Sequence, residues 1–476
     1  MMAGGTTQSA DLCDSGLTCR MVRERIDNAG LWRVPGQAAQ QRAHLVGEKP
    51  FALSAQQVER IEKLGPALLA FYRAANDLYL KSEHDWARAY LDISKSEEVI
   101  RHSAMKYQRR AIPGIIRPDI LITDDGLKIT ELDSVPGGFG HLDCLSAGYE
   151  SAGWDLVGSP RGIRDGFAAM LRDASGSADP ICAIVVSEES ADYRPEMAYI
   201  AGELRKIGLA AYAVQPKEVT FTEDGLFIEP EGERLRIDVV YRFFELFDLL
   251  NIPKSELVSY AARKKLVVVT PPYKHFLEEK MLLAMLHNGV LREYWLTALG
   301  KDHYSLLLDT IVPTWIIDNH PVPPHAEISG FRWRGGPIRD WRAIASGTQK
   351  ERELVLKPSG YSPLAWGARG VKVGHDMPEA EWARALDQAL DGFNATPYVL
   401  QRFTDTALLR VSYFDGPCAE LREMDARVRL CPYYFVTGDE ARLGGILATA
   451  CPKNKKLIHG MVDAVITPCR SAGVGS

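Results

Sequence analysis

The stretch IIRPDILITDDGLKITELDSVPGG, residues 115–138, sets Arg117 and Asp119 two residues apart and, beyond a turn, Glu131 and Asp133 two residues apart. Both pairs lie inside runs of strand-forming apolar residues. Asp124-Asp125-Gly126 is a turn signal, and a three-residue loop closed by the glycine sets Thr123 opposite Leu127. Asp119 then lies across from Glu131, and Arg117 across from Asp133. Residues two apart on a strand share a face, so all four charges gather on one side of the ribbon. A two-residue loop would set Ile120 against Glu131 instead, burying a charge against an aliphatic side chain. Three carboxylates beside a single arginine repel one another by on the order of several kcal/mol. A Mg²⁺ ion held by Asp119, Glu131 and Asp133 would relieve this, because a hard cation takes carboxylates and completes its shell with phosphate oxygens. The plainer alternative is a solvent-facing salt-bridge cluster. The apolar flanks, Ile115, Ile116, Ile120, Leu121, Ile122 and Leu132, argue against full exposure.

A phosphate ligand would need cations and close backbone approach. ELVLKPSGYSPLAWGARGVKVG (353–374) supplies Lys357 at a strand end, followed by Gly360, Gly367 and Gly370, whose bare backbone lets N–H groups near phosphate oxygens. It is not a GxxxxGK[ST] loop, and a flexible surface loop is its alternative. Lys280 follows the strand-like KLVVVTPP within HFLEEKMLLAML; an exposed helix lysine is the plain reading. YVLQRF (398–403) puts Gln401, Arg402 and Phe403 at a strand end whose backbone groups could meet an adenine edge, if it is not simply a core strand. PGGFG (136–140) lacks the GxGxxG order and shows no helix-opening pattern, so a tight turn near substrate is expected rather than a dinucleotide site. His141 and Cys144 beside it need not meet.

These residues need elements to hold them. The chain has 476 residues, long for one core, with 46% hydrophobic and 25% charged residues, as in a soluble globular protein. A net charge of −6 excludes the basic footprint of a nucleic-acid binder. No apolar run reaches a membrane span and no signal peptide is legible, so a cytoplasmic location is expected. Eight scattered cysteines without a CxxC pair read as reduced thiols. Residues 1–105 read as a helical region, with a helix after Ser54 whose Gln57 completes a capping box and whose Val58, Ile61, Leu64, Leu68 and Phe71 form one apolar face. Residues 106–260 alternate strands and helices as an α/β unit carrying the charged hairpin, and 261–476 form a third region.

Taken in order, these motifs resemble the ATP-grasp superfamily, in its circularly permuted branch that includes glutathionylspermidine synthetase and eukaryotic-type glutathione synthetase. Arg117-Pro118-Asp119 resembles its R-x-D pair and Glu131-Leu132-Asp133 its E-x-N pair, with Asp133 in place of asparagine. Lys280 and Lys357 are similar to its two phosphate lysines, YVLQRF to its hinge strand, and GGILATACPKNKKLIHGMVDAV to its closing segment, with His459-Gly460 at the small-residue turn. The glycine loop departs from the pattern, with Arg369 where an acidic residue is usual, and the late-strand arginine is replaced around Ala448-Thr449. The resemblance spans about residues 106–470 and implies an α/β (α+β) ATP-grasp fold, permuted, with a helical N-terminal addition. It implies a ligase joining a carboxylate substrate to an amine through an acyl phosphate. ATP and Mg²⁺ would be the cofactors and Arg117 the catalytic residue. No nucleic acid or membrane partner is implied, and a homodimer is possible. The alternative is a nucleotide-binding regulatory or scaffold protein without catalysis.

Overall fold

The computed structural model describes residues 7–31, 45–158, 161–320, 326–365, 367, 369–415, 418, 420–456, 458 and 464–472. His459-Gly460 lies outside the described residues. Ser54 accepts the Gln57 N–H at 3.2 Å, and the Gln57 side chain accepts the Ser54 N–H at 2.9 Å. The expected capping box therefore opens a helix, Ala55–Lys81. Its buried Ile61, Leu64, Leu68 and Phe71 join Trp295 and Leu307 of the helix Arg292–Thr310 in one core, together with Ile116, Ile120 and Tyr434 of a sheet. Gly65 marks the closest approach: a Cβ there would lie 2.8 Å from a Tyr434 ring carbon and 3.0 Å from the Ala441 carbonyl oxygen.

That sheet carries the charged ribbon. Its strand order is Leu409–Asp415, Leu45–Gly47, Val465–Ser471, Glu440–Pro452, Glu420–Thr437, Ile115–Thr123 and Gly126–Asp133, with Phe51–Leu53 also paired to Val465–Ser471. Leu409–Asp415 pairs a second time, with Glu420–Thr437, so the sheet partly closes on itself. Alternation divides its faces. Ile116, Ile120 and Tyr434 face the first core, whereas Ile115, Tyr433 and Phe435 meet Phe139, Leu142 and Phe167 of the helices Phe139–Ser151 and Gly162–Ser175 in a second core. Arg117 and Asp119 follow Ile115 on that second side.

Two smaller sheets flank it. Val268–Thr270, Val239–Phe243, Cys182–Val186 and Ala211–Val214 form a parallel sheet, matching the α/β alternation. Val268–Thr270, within KLVVVTPP, forms one edge of this sheet. Thr314–Ile317, Tyr398–Arg402, Leu354–Pro358 and Lys372–Val373 form an antiparallel sheet, covered by the helix Glu379–Asp391 through Trp382 and Leu386. The N-terminal region is not purely helical, since it lends two short strands to the main sheet.

Cys19, on the helix Thr7–Asn28, is bonded to Cys418, whereas Cys144, Cys182, Cys431, Cys451 and Cys469 are buried thiols. The expectation of reduced thiols throughout is corrected at that pair, because folding brings together two residues 399 positions apart. Among the described residues no helix is long and apolar enough to cross a membrane. Alkylation in denaturant without reductant should leave Cys19 and Cys418 unmodified while Cys182 is labelled, as read by mass spectrometry of a digest. Equal labelling of all three would remove the bond.

Candidate active site

The hairpin pairs Arg117 with Asp133 and Asp119 with Glu131, as the sequence reading expects, but by another route. The loop is two residues, Asp124-Asp125, with Thr123 opposite Gly126. Between Asp119 and Ile120 the register then shifts: Ile120 faces Ile129, and Thr130 is the extra residue of a β-bulge. The bulge restores the charged register and frees one backbone oxygen. The Thr130 carbonyl accepts from Lys357 Nζ at 3.3 Å and from Gln401 Nε2 at 3.2 Å.

Arg117, Asp119, Glu131, Asp133, Lys280 and Lys357 all line one cavity of about 560 Å³, within the size range of small-ligand sites. Lys357 is the penultimate residue of the strand Leu354–Pro358, near its end as expected. Lys280 stands immediately before the helix Met281–His287 and meets Glu131 at 2.9 Å. Gly360 and Gly367 also line the cavity. Gly367 needs its positive φ of 60° for the loop to turn. Gly370 stays behind the wall, its N–H on the Leu364 carbonyl at 2.9 Å. Gln401, Arg402 and Phe403 reach the cavity. However, the N–H of Arg402 is taken by the Pro313 carbonyl and that of Phe403 by the Glu353 carbonyl, each at 3.0 Å. The amide donors that the sequence reading offered to an adenine edge are thus occupied within the protein.

The sequence missed Arg429. It lies opposite Thr449 on the adjacent strand, and its guanidinium lines the cavity. Arg429 Nη1 is 2.9 Å from Asp119 Oδ2, and Arg117 pairs with Asp119 Oδ1 and with Asp133. The Cys431 thiol, buried beside them, donates to Asp119 at 3.5 Å. Alternation of Arg427 and Arg429 with Val428 and Leu430 was the available signal. Which strand would face which was not written locally.

This changes the charge balance inferred from the ribbon alone. Asp119, Glu131 and Asp133 face Arg117, Arg429, Lys280 and Lys357, four cations against three carboxylates. Burial opposes the charge on Arg117 and Arg429, but Asp119, together with Cys431 and Tyr433, outweighs it and holds both guanidinium groups above their usual range. Burial likewise opposes ionisation of Asp119, yet Arg117, Arg429 and the Cys431 thiol keep its carboxyl below the usual value. Burial lowers the Lys280 ammonium, and Glu131, with Glu245 and Glu279 behind it, more than restores it. Lys357 is lowered, mainly by burial, with Lys280 adding to the effect. Repulsion among the carboxylates therefore does not by itself call for Mg²⁺. Their oxygens suit a hard cation, but each is already ion-paired. Among the described residues no three His, Cys, Asp or Glu side chains are gathered as a metal centre.

Across the cavity, PGGFG does open a helix. Gly138 is the N-cap of Phe139–Ser151, at φ 92°. The Tyr433 hydroxyl holds the Gly137 carbonyl at 2.7 Å, and His141 pairs with the buried Glu196 at 3.1 Å. Cys144 points into the core, its thiol pushed up to about 11 by burial, so no Cys–His pair forms. Arg369 of the glycine loop meets Glu189 at 3.0 Å, clasping the loop to the parallel-sheet unit.

No protein-family model matches the chain, and no curated protein matches its sequence. Among solved structures, the apo form of a glutathione synthetase-like effector from Globodera pallida aligns with a TM-score of 0.60 over 96% of both chains at 13% identity. The likeness shows a shared fold. A protein from Methylobacillus flagellatus assigned as a gamma-glutamylcysteine synthetase aligns at 0.42 over 90% of both chains, with 11% identity. D-alanyl-alanine synthetase A from Vibrio cholerae aligns at 0.28 over 58% of this chain and 68% of its own, with 12% identity.

Replacing Asp119 by Asn leaves two guanidinium groups short of their shared counter-charge, and should lower unfolding free energy by about 3 kcal/mol at pH 7. Because the folded state depresses this carboxyl's pKa, its stabilisation is present above the unfolded value and lost as pH falls through the folded one. The gap between parent and Asp119→Asn should therefore close below about pH 4 in urea titrations. A gap that stays constant with pH would sink the bracketed-carboxylate account.

Proposed function

We propose that the protein is an ATP-dependent ligase that joins a carboxylate to an amine. The carrying observation is the convergence of Lys280, Lys357, Arg117 and Arg429 on one cavity, a local group of cations that suits a polyphosphate next to a reacting carboxylate. The shared fold with a glutathione synthetase-like protein supports the same reading. A substrate carboxylate oxygen attacks the γ-phosphorus and ADP leaves; the amine nitrogen then attacks the acyl carbon of that acyl phosphate, phosphate departs, and the nitrogen loses its proton. Lys280 and Lys357 neutralise phosphate oxygens. Drawing Lys280 onto a phosphate would take it from Glu131, whose carboxylate would then be open to a Mg²⁺ ion brought in with the nucleotide. Such an ion would add charge neutralisation at the phosphates. Arg117 supplies fixed donors to oxygens gaining charge during transfer. Loop residues 358–365 close over the site and keep water from the acyl phosphate.

Phosphate release with a panel of carboxylates and amines tests the reading. Release should require both partners. ADP formation without an amine would indicate a phosphotransferase, and ATP binding without turnover would indicate a regulatory nucleotide-binding protein. Arg117→Ala should lower turnover by about 10²-fold while sparing ATP affinity, and unchanged turnover would remove Arg117 from the chemistry. Lys357→Ala should weaken ATP binding by roughly tenfold in calorimetry, and equal affinity would place the phosphates elsewhere.

A further inference from the structure

Beside the two lysines lies a set of buried polar groups, Lys95, Glu279 and Ser359, that are not among the residues lining the cavity. Lys95, in the turn between helices Asp85–Asp92 and Glu97–Ser103, pairs with Glu279, and both side chains are fully shielded from solvent. Glu279 is the one carboxylate within ion-pair range of Lys95 among the described residues. The Tyr361 ring face lies 5.7 Å from the same ammonium. The second oxygen of Glu279 accepts the hydroxyl of Ser359, which has no exposure. Ser359 in turn holds the segment that bears Lys280: its hydroxyl accepts the Met281 N–H at 3.0 Å and its carbonyl accepts the Lys280 N–H at 2.9 Å. Gly360 makes the contact possible, because a Cβ there would lie 2.6 Å from the Glu278 carbonyl oxygen.

Burying a lysine–glutamate pair stabilises a fold little, since desolvation of both ions offsets their attraction. In some folds such a pair instead fixes one arrangement of the groups around it. Here that geometry ties Lys357-Pro358-Ser359-Gly360 to Glu279-Lys280-Met281. We propose that Lys95, acting through Glu279 and Ser359, is a positioning residue of the nucleotide site. It sets the spacing of Lys280 and Lys357 and fixes the hinge of the glycine loop. The N-terminal region thereby becomes a working part of the site. The inference rests on the nucleotide reading above.

The test uses the full chain with the pair neutralised, Lys95→Met with Glu279→Gln, so that no lone buried charge remains. Peptides covering 357–365 should exchange amide hydrogen about tenfold faster than in the parent while global unfolding is unchanged. ADP affinity, measured by calorimetry, should fall about tenfold. Unchanged exchange in those peptides, or faster exchange with parental ADP affinity, would overturn the positioning role. A parent that binds no ADP at all, with the exchange response still present, would instead sink the nucleotide reading and this role with it. Should the double variant not fold, Glu279→Asp, which keeps the charge on a shorter arm, carries the same two measurements and the same outcomes.

Discussion

The site is organised around one carboxylate. Asp119 is gripped by Arg117 from its own strand and by Arg429 from the adjacent one, and Arg117 also reaches Asp133 across the hairpin. These bonds join three neighbouring strands of the main sheet at the point where it faces the cavity. Charge-assisted pairs of this kind fix geometry more than they add stability, since removing ions from water costs about as much as pairing returns. The bracket accordingly sets where two guanidinium groups point, and the second core beneath it, with Tyr433 and Phe435, keeps the strands in place.

A second device works by subtraction. In an antiparallel pair the carbonyls of each strand alternate between pointing at the partner and pointing away from it. The bulge at Thr130 removes one oxygen from the ladder and offers it to Lys357 and Gln401. A lysine lowered by burial thus keeps an acceptor within reach, and the antiparallel sheet that bears it is tied to the charged ribbon. The same irregularity that restores the Asp119–Glu131 register therefore also couples two sheets.

Legibility followed distance along the chain. The capping box at Ser54, the apolar face of its helix, the facing of Arg117 with Asp133 and the strand-end position of Lys357 all depend on residues within one or two turns, and each was readable. The hairpin loop was misjudged because a bulge can absorb one residue, so two different loops lead to the same charged pairing. Arg429 was missed, and the occupied amides of Arg402 and Phe403 with it, because each depends on which distant strand lies alongside. The bond between Cys19 and Cys418 belongs to the same class, as nothing near either cysteine announces the other. The need for a metal ion was overstated for the same reason: the ribbon was counted by itself, without the cations that other strands bring.

The first and last strands of the main sheet are neighbours. Leu45–Gly47 and Phe51–Leu53 both lie parallel to Val465–Ser471, which also closes against Glu440–Pro452. During synthesis the early segments cannot take up this pairing until Val465–Ser471 has been made. Until then their strand edges are left exposed, the kind of surface through which partly folded chains associate.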